Sequence, residues 1–548
     1  MPRRTFLRNR LSLATLAALL MALPVSAAVK PASLFSTHMV LQQEMPVPIF
    51  GTAEPGESVT VSIHDQKKTV KTDAQGKWSV TLDPLKPSKA SKPTTMTIAG
   101  SNTITIDDVL IGEVWLCSGQ SNMAWTVARS RDFEAEKAAA KNPQIRMFLV
   151  TSGAAATPQT ECKGSWIVCS PETVGGFTAA GYFFAKELYP QLKRPIGLIN
   201  SSVGGTPVEA WTSQAAMDRT PEIKPVLERW QQSEANYNPE KAKAAFETQL
   251  KRYEELAKQG KAPANKPRLQ LQPSKSPQYP AVLYNGKIAP LERYAIRGAI
   301  WYQGENNAGS PHPHLYGKQL ELMISDWRAR WGQGDFPFAW VQLPNFQTAA
   351  QWPILREQML QTLKVPQTGM AIAIDVGDPK DIHPTNKQPV GSRLAYWALA
   401  TVYGQKRAYS GPIPTTNRVE GDSIVVNFDH ANDGLKLLDR SESGFEIAGA
   451  DQVWHAAEAK VVAPNSVVIR SKAVAKPVAV RYLWANNPTA TLFNGADLPA
   501  TPFRTDTWDG KVGTPAPAKP AAAPAKPAKP VKPKTVPALP ILPPPEKP

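Results

Sequence analysis

"VLIGEVWLCSGQSNM", residues 109–123, decides how the chain is read. Its first eleven residues are too continuously apolar for a sheet with one wet face, so they predict a strand buried on both sides. Gly119 then permits a tight exit, and Ser121 falls just past the strand end. A serine so placed presents its oxygen beyond the sheet, with its own N–H available to a developing oxyanion. The motif is not G-x-S-x-G, since Met123 stands two residues after Ser121, which disfavours an α/β-hydrolase elbow. Serine in a turn is common, so the reading rests on partners elsewhere in the chain.

Four more apolar runs share the pattern: "RPIGLINSS", "IRGAIWYQG", "FPFAWVQLP" and "GMAIAIDVGD". Between them lie "GGFTAAGYFFAKELYPQL" and "HLYGKQLELMISDWRARW", whose apolar residues recur at spacings of three and four. Strand, helix, strand predicts an α/β domain over residues 109–404 with a parallel sheet covered by helices. Ligands in such sheets bind beyond the carboxyl ends of the strands. Within it, about 212–280 is charged, then rich in proline and lysine; it predicts an insertion with one or two helices and a loop, read as a solvated excursion in preference to a lid.

Residues 28–108 alternate in short runs such as "ESVTVSI", "GKWSVTL" and "NTITIDD", punctuated by Gly, Pro and Asp, which predicts a small antiparallel β-sandwich. The strand pattern returns over 405–510 in "GDSIVVNF", "GFEIAG", "SVVIRS" and "PVAVRYLW", a C-terminal β-rich module. Residues 511–548, made largely of Pro, Lys and Ala, predict a disordered extended tail. Residues 1–27 carry four arginines, an apolar stretch from Leu11 to Leu23, and Val25 and Ala27 placed for cleavage, so they read as a signal peptide, by the Sec or the twin-arginine route. The expected location is periplasmic or secreted, without stable membrane insertion.

The 548 residues and their 42% hydrophobic content predict two to four domains with a large core. The formal charge of +16 does not imply nucleic acid. Four of those charges lie in residues 1–27 and a net six in 511–548, leaving a mildly basic body. Of three cysteines, Cys117 lies in the buried run, while Cys162 and Cys169 are spaced to close a small loop. No cluster has metal-ligand spacing and no phosphate-binding loop appears, so neither a metal nor a cofactor is expected.

A serine nucleophile needs a base, and there are seven histidines. His383, in "DPKDIHPTNK", follows the strand pattern "GMAIAID" and shares its loop with Asp375, Asp378 and Asp381, a base and an orienting carboxylate at a strand end. Two further strand ends offer donors: Gly204 and Gly205 in "IGLINSSVGGTPVEAW", and Gln303 to Asn307 in "AIWYQGENNA". Trp125, Trp211, Trp301 and Tyr302 flank the motifs, as sugar-stacking rings or as core. Gln120, Asn122, Glu305 and Trp301 are candidates for holding substrate.

"GQSNM" (119–123), "SSVGGTPVEAW" (201–211), "IWYQGENNA" (300–308) and "DIHPTNK" (381–387), with "LFSTHMVLQQEMPVPIFGTAEPGESVTV" near the start, resemble the blocks of SGNH hydrolases, specifically the sialate O-acetylesterase family. The likeness covers roughly residues 30–505. It implies a serine esterase that removes O-acetyl groups from a carbohydrate, with Ser121 as nucleophile, His383 as base, and the Ser121 N–H, Gly205 N–H and Gln303 side chain as the oxyanion hole. The SGNH acid usually precedes histidine by three positions, where this chain has Lys380. Asp381 is the choice for that role, Asp378 the reserve, and a backbone carbonyl a further possibility. Gly304-Glu305-Asn306-Asn307 fits G-x-N-D only in its first three positions, so Asn306 competes with Gln303. The sugar is left open between sialate, acetylated xylan and another glycan. The rival classes are a non-catalytic carbohydrate-binding protein on the same fold and a lipase-like or peptidase activity.

Overall fold

A strand of seventeen residues, Thr103–Gly119, organises the computed structural model, which describes residues 28–87, 92–263 and 266–508. The expected signal peptide (1–27) and tail (511–548) lie outside those residues. Along this strand burial alternates through Asp108, then every residue from Val109 to Gly119 is buried. The two halves have different neighbours, which is why their patterns differ. The first pairs antiparallel with Thr94–Ala99 in the front β-region. The second sits mid-sheet, parallel to Ile196–Ser202 on one side and Gly298–Tyr302 on the other. Sequence reading divides the chain at 108, yet no linker lies there: one strand crosses the division.

The central sheet runs Gly164–Val168, Ile145–Val150, Ile196–Ser202, Thr103–Gly119, Gly298–Tyr302, Phe338–Val341, Thr368–Ala371. All neighbours are parallel except the first pair. It is thus a mixed sheet. After Thr103–Gly119 the chain builds outward on one side, and after Ile196–Ser202 it crosses to the other. The carboxyl end of Thr103–Gly119 is therefore the topological switch point, where such sheets open a crevice. Helix Ala179–Leu192 packs against Gln388–Trp397, and Tyr316–Trp331 against Trp352–Gln361. The first pair meets closely at Gly391, where a Cβ would lie 2.4 Å from that of Phe183.

Before the central sheet come a three-stranded sheet (Lys30–Pro31, Val47–Thr52, Lys77–Leu82) and the antiparallel pairings of Ser58–Ile63 with Gln66–Lys71 and Thr94–Ala99. After it come two four-stranded antiparallel sheets between Ile413 and Arg504. Arg356, fully buried, joins this last region to the central one: its guanidinium donates to the carbonyls of Leu343 and Pro344 and to those of Ala485 and Asn486. Glu113, buried in the long strand, is matched by Arg297 (2.6 Å), Gln43 (2.7 Å) and the Tyr403 hydroxyl (3.0 Å), as a desolvated carboxylate requires.

Among its described residues the 212–280 stretch carries three α-helices rather than one or two: Gln214–Asp218, Lys224–Ala235 and Pro239–Lys258. The longest begins as its sequence dictates, with Asn238 accepting the Lys241 N–H and proline at the first position. The loop between Cys162 and Cys169 is not closed by a disulfide. All three cysteines are free and buried; Gly164–Val168 between them is a strand, which carries them apart.

Candidate active site

Gly119 ends the long strand with φ +135°, and a Cβ there would lie 2.2 Å from the Tyr302 carbonyl oxygen. Only glycine allows that approach. The Gln120 N–H donates to the same carbonyl (2.9 Å), and Ser121 opens the short helix Ser121–Ala124. As its first residue, Ser121 has an N–H without an intrahelical acceptor. The turn after Ile196–Ser202 comes alongside: a Cβ on Gly204 would lie 3.4 Å from that of Ser121.

His383 reaches this point from the loop after Thr368–Ala371. Its Nε2 lies 2.9 Å from Ser121 Oγ. Asp381 Oδ1 accepts the His383 backbone N–H at 2.8 Å and lies 3.3 Å from Nδ1. That second contact is longer than the ~2.7–2.9 Å of a charge-assisted bond, and the carboxylate is 57% exposed. Asp378 and Asp375 are engaged elsewhere, the first with the Lys380 N–H (2.8 Å), the second with both terminal nitrogens of Arg393 (2.6 and 2.7 Å). The Trp125 indole stacks on the imidazole, centroids 5.2 Å apart and planes within 13°. Burial lowers the His383 pKa below its ordinary value, Lys387 adds to the effect, and Asp381 opposes it. The imidazole is therefore neutral at pH 7, with a lone pair for a hydroxyl proton.

Beneath the serine lies a buried polar network. Asn122 Nδ2 donates to Glu305 Oε1 (2.5 Å) and to the Ile382 carbonyl (3.0 Å). Its Oδ1 accepts from Lys387 Nζ (2.6 Å), which also donates to the Pro384 carbonyl (2.7 Å). The serine turn and the histidine loop are thus bolted together on both flanks of residue 383. Burial pushes the Lys387 ammonium down to about 7 and raises the Glu305 carboxyl.

Four residues read as substrate contacts are interior instead. Asn122 and Trp301 are wholly buried, Gln120 and Glu305 nearly so. Trp301 lies edge-on to Trp211 and Trp327 in the core, because its position on a central strand faces the helix layer. Gln303 is also wholly buried. Its amide nitrogen has acceptors at Asn307 Oδ1 (2.7 Å), the Thr206 carbonyl (3.0 Å) and Gln120 Oε1 (3.2 Å). Two amide protons facing three acceptors leave none for an oxyanion. Asn306 is placed differently: its Nδ2 gives one bond, to the Gly205 carbonyl (2.8 Å), and keeps a second proton. That carbonyl also accepts from Gln278 Nε2 (2.8 Å), so the end of the 212–280 stretch touches the site. Sequence reasoning missed Lys387, since lysines are seldom buried; its place four residues after His383 was the available signal.

A family model described as carbohydrate esterase, sialic acid-specific acetylesterase, matches residues 111–269 and 268–400, more than half of the chain. The chain belongs to this family. Among its curated relatives are sialate O-acetylesterases of mouse (30% identical) and rat (29%), each match covering 86% of this chain and 93% of the relative. Among solved structures, a carbohydrate acetylesterase from Xanthomonas citri is similar at 36% identity and TM-score 0.74, over 88% of this chain and all of that one. As a member of the carbohydrate esterases the protein is a carboxylic ester hydrolase that removes O-acetyl groups from sugars.

Proposed function

We propose that this esterase acts on O-acetylated sialic acids through a Ser121–His383 pair, assisted by Asp381. The observation that carries the reading is the 2.9 Å contact between Ser121 Oγ and His383 Nε2. His383 takes the serine proton as Oγ attacks the acetyl carbonyl, then returns it to the departing sugar oxygen. Water, deprotonated by the same imidazole, releases acetate from the acyl-enzyme. The negative oxygen is held by the Ser121 N–H, by N–H groups of the Gly204–Gly205 turn and by Asn306; Gln303 supports the turn rather than the oxyanion. The sheet with its switch-point serine fits an SGNH-type hydrolase, and the small front sheets fit a β-sandwich.

Sialate as substrate is supported by the names of the mouse and rat relatives; acetylated xylan or another glycan is the alternative. No helix among the described residues is long and apolar enough to cross a membrane, and a periplasmic or secreted location follows from reading residues 1–27 as a signal peptide. Acetate release from O-acetylated sialic acid, acetylated xylan and p-nitrophenyl acetate tests the proposal beside Ser121→Ala. The variant is expected to lose at least ~10³-fold in kcat. Equal rates from both proteins would end the assignment of Ser121.

A further inference from the structure

Arg129 places a positive charge near His383 that no counter-charge among the described residues balances. Trp125, which covers the imidazole, also carries the Arg129 guanidinium, whose carbon lies 3.7 Å from the ring centroid. Imidazole and guanidinium thus share one indole. The Arg129 side chain is exposed, and among the described residues it has neither a carboxylate nor any hydrogen-bond acceptor. The other charged groups beside the imidazole are accounted for: Lys387 is buried on Asn122 and Pro384, and Asp381 faces the histidine.

The arginine is also held in place. Trp125 Nε1 donates to the Arg129 carbonyl (3.0 Å), and the Arg129 N–H to the Thr126 carbonyl (3.0 Å). Two residues on, the Arg131 N–H donates to the Thr385 carbonyl (2.9 Å), and Gln388 Nε2 to the Arg131 carbonyl (2.8 Å). The segment is therefore tied to the histidine loop through the Arg131 backbone, and Trp125 stacks on His383 at its start. A planar fork of donors, fixed over an aromatic ring and open to solvent, is suited to bidentate recognition of a carboxylate. A neutral acetylated sugar has nothing to pair with it. A sialic acid carries a permanent carboxylate several bonds from its O-acetyl groups.

We infer that Arg129 is a specificity-determining residue that binds the carboxylate of the substrate sugar while Ser121 attacks its acetyl ester. The inference rests on the sialate reading above and adds the group that selects an acidic sugar. The test compares kcat/KM for an O-acetylated sialic acid with that for its C1 carboxamide, which keeps shape and ester but removes the charge. Wild type is expected to prefer the acid by about 10- to 100-fold. In Arg129→Gln the ratio of acid to carboxamide falls to near one; Arg129→Lys, which keeps the charge without the fork, retains an intermediate ratio. Arg131→Gln keeps the wild-type ratio. Because each ratio is taken within one protein, partial misfolding does not alter it. A wild-type ratio near one with both sugars deacetylated, an unchanged ratio in Arg129→Gln, or a collapse in Arg131→Gln instead, overturns the inference and leaves the sialate reading standing. Turnover of p-nitrophenyl acetate with neither sugar deacetylated overturns the sialate reading itself.

Discussion

The indole of Trp125 lies flat against the imidazole of His383, and the desolvation to which it contributes has a consequence for pH. The histidine's pKa is below its ordinary 6.5, so more than half of the base is neutral at that pH. The acid limb of esterase kcat/KM should be centred below pH 6.5. Between the folded and unfolded values the unfolded chain holds more protons, so this group's contribution to stability is present above 6.5 and is lost as pH falls through that window. A pH–rate profile with an acid limb centred above 6.5 would contradict this.

Asp381→Asn should cost about 10-fold in kcat, well short of the ~10⁴ typical of buried triad carboxylates. The carboxylate is 3.3 Å from Nδ1 and largely exposed, so water screens it. Its firmer bond, to the His383 backbone N–H, is one an asparagine oxygen can accept. Steady-state kinetics on p-nitrophenyl acetate decide the matter, and a loss near ~10⁴ would mean the pair tightens when substrate binds.

Lys387→Met keeps most of the side-chain volume but removes both bonds that Nζ makes. Two buried acceptors lose their donor, at about 1–3 kcal/mol each, offset in part by relief from burying an ammonium. Positioning should suffer more than stability: kcat falls about 10-fold or more with KM little changed. Since Lys387 helps to lower the His383 pKa, the acid limb should also move to higher pH. An unaltered pH profile would deny the lysine its electrostatic part.

Asn306 and Gln303 should separate by the kind of damage each causes. On the proposed mechanism Asn306→Ala removes an oxyanion donor and should lower kcat by about 100-fold. Gln303→Ala strips partners from Thr206, Asn307 and Gln120 inside the protein, and should appear first as a lower denaturation midpoint. If Asn306→Ala keeps full kcat, the side-chain donor lies elsewhere.

The parallel strands were legible because residues such as Leu110, Val114 and Leu116 are buried whatever face they point to, and such short apolar runs alternate with helical patterns. That Ser121 and His383 would meet could be expected because each follows such a run, and their side chains do lie 2.9 Å apart. What escaped was the third dimension of polar residues. Asn122 and Glu305 look like ligand contacts in the linear motif, but they bond each other across 183 residues, a pairing that no local pattern encodes. Trp301 alternates with its neighbours on a strand whose two faces are equally buried, so periodicity could not say which face meets the crevice. The alternation of 103–107 and the unbroken burial of 109–119 look like two elements because the environment changes midway along one strand.

That single strand makes the front region and the Ser121 turn mechanically inseparable. Its amino half is clamped by Thr94–Ala99 while its carboxyl tip leads into Ser121, so that serine is mounted on a rod anchored in the front β-region. A truncation beginning at residue 109 would leave the rod without its anchorage, and transplanting the hydrolase part alone into another protein would carry away a severed central beam.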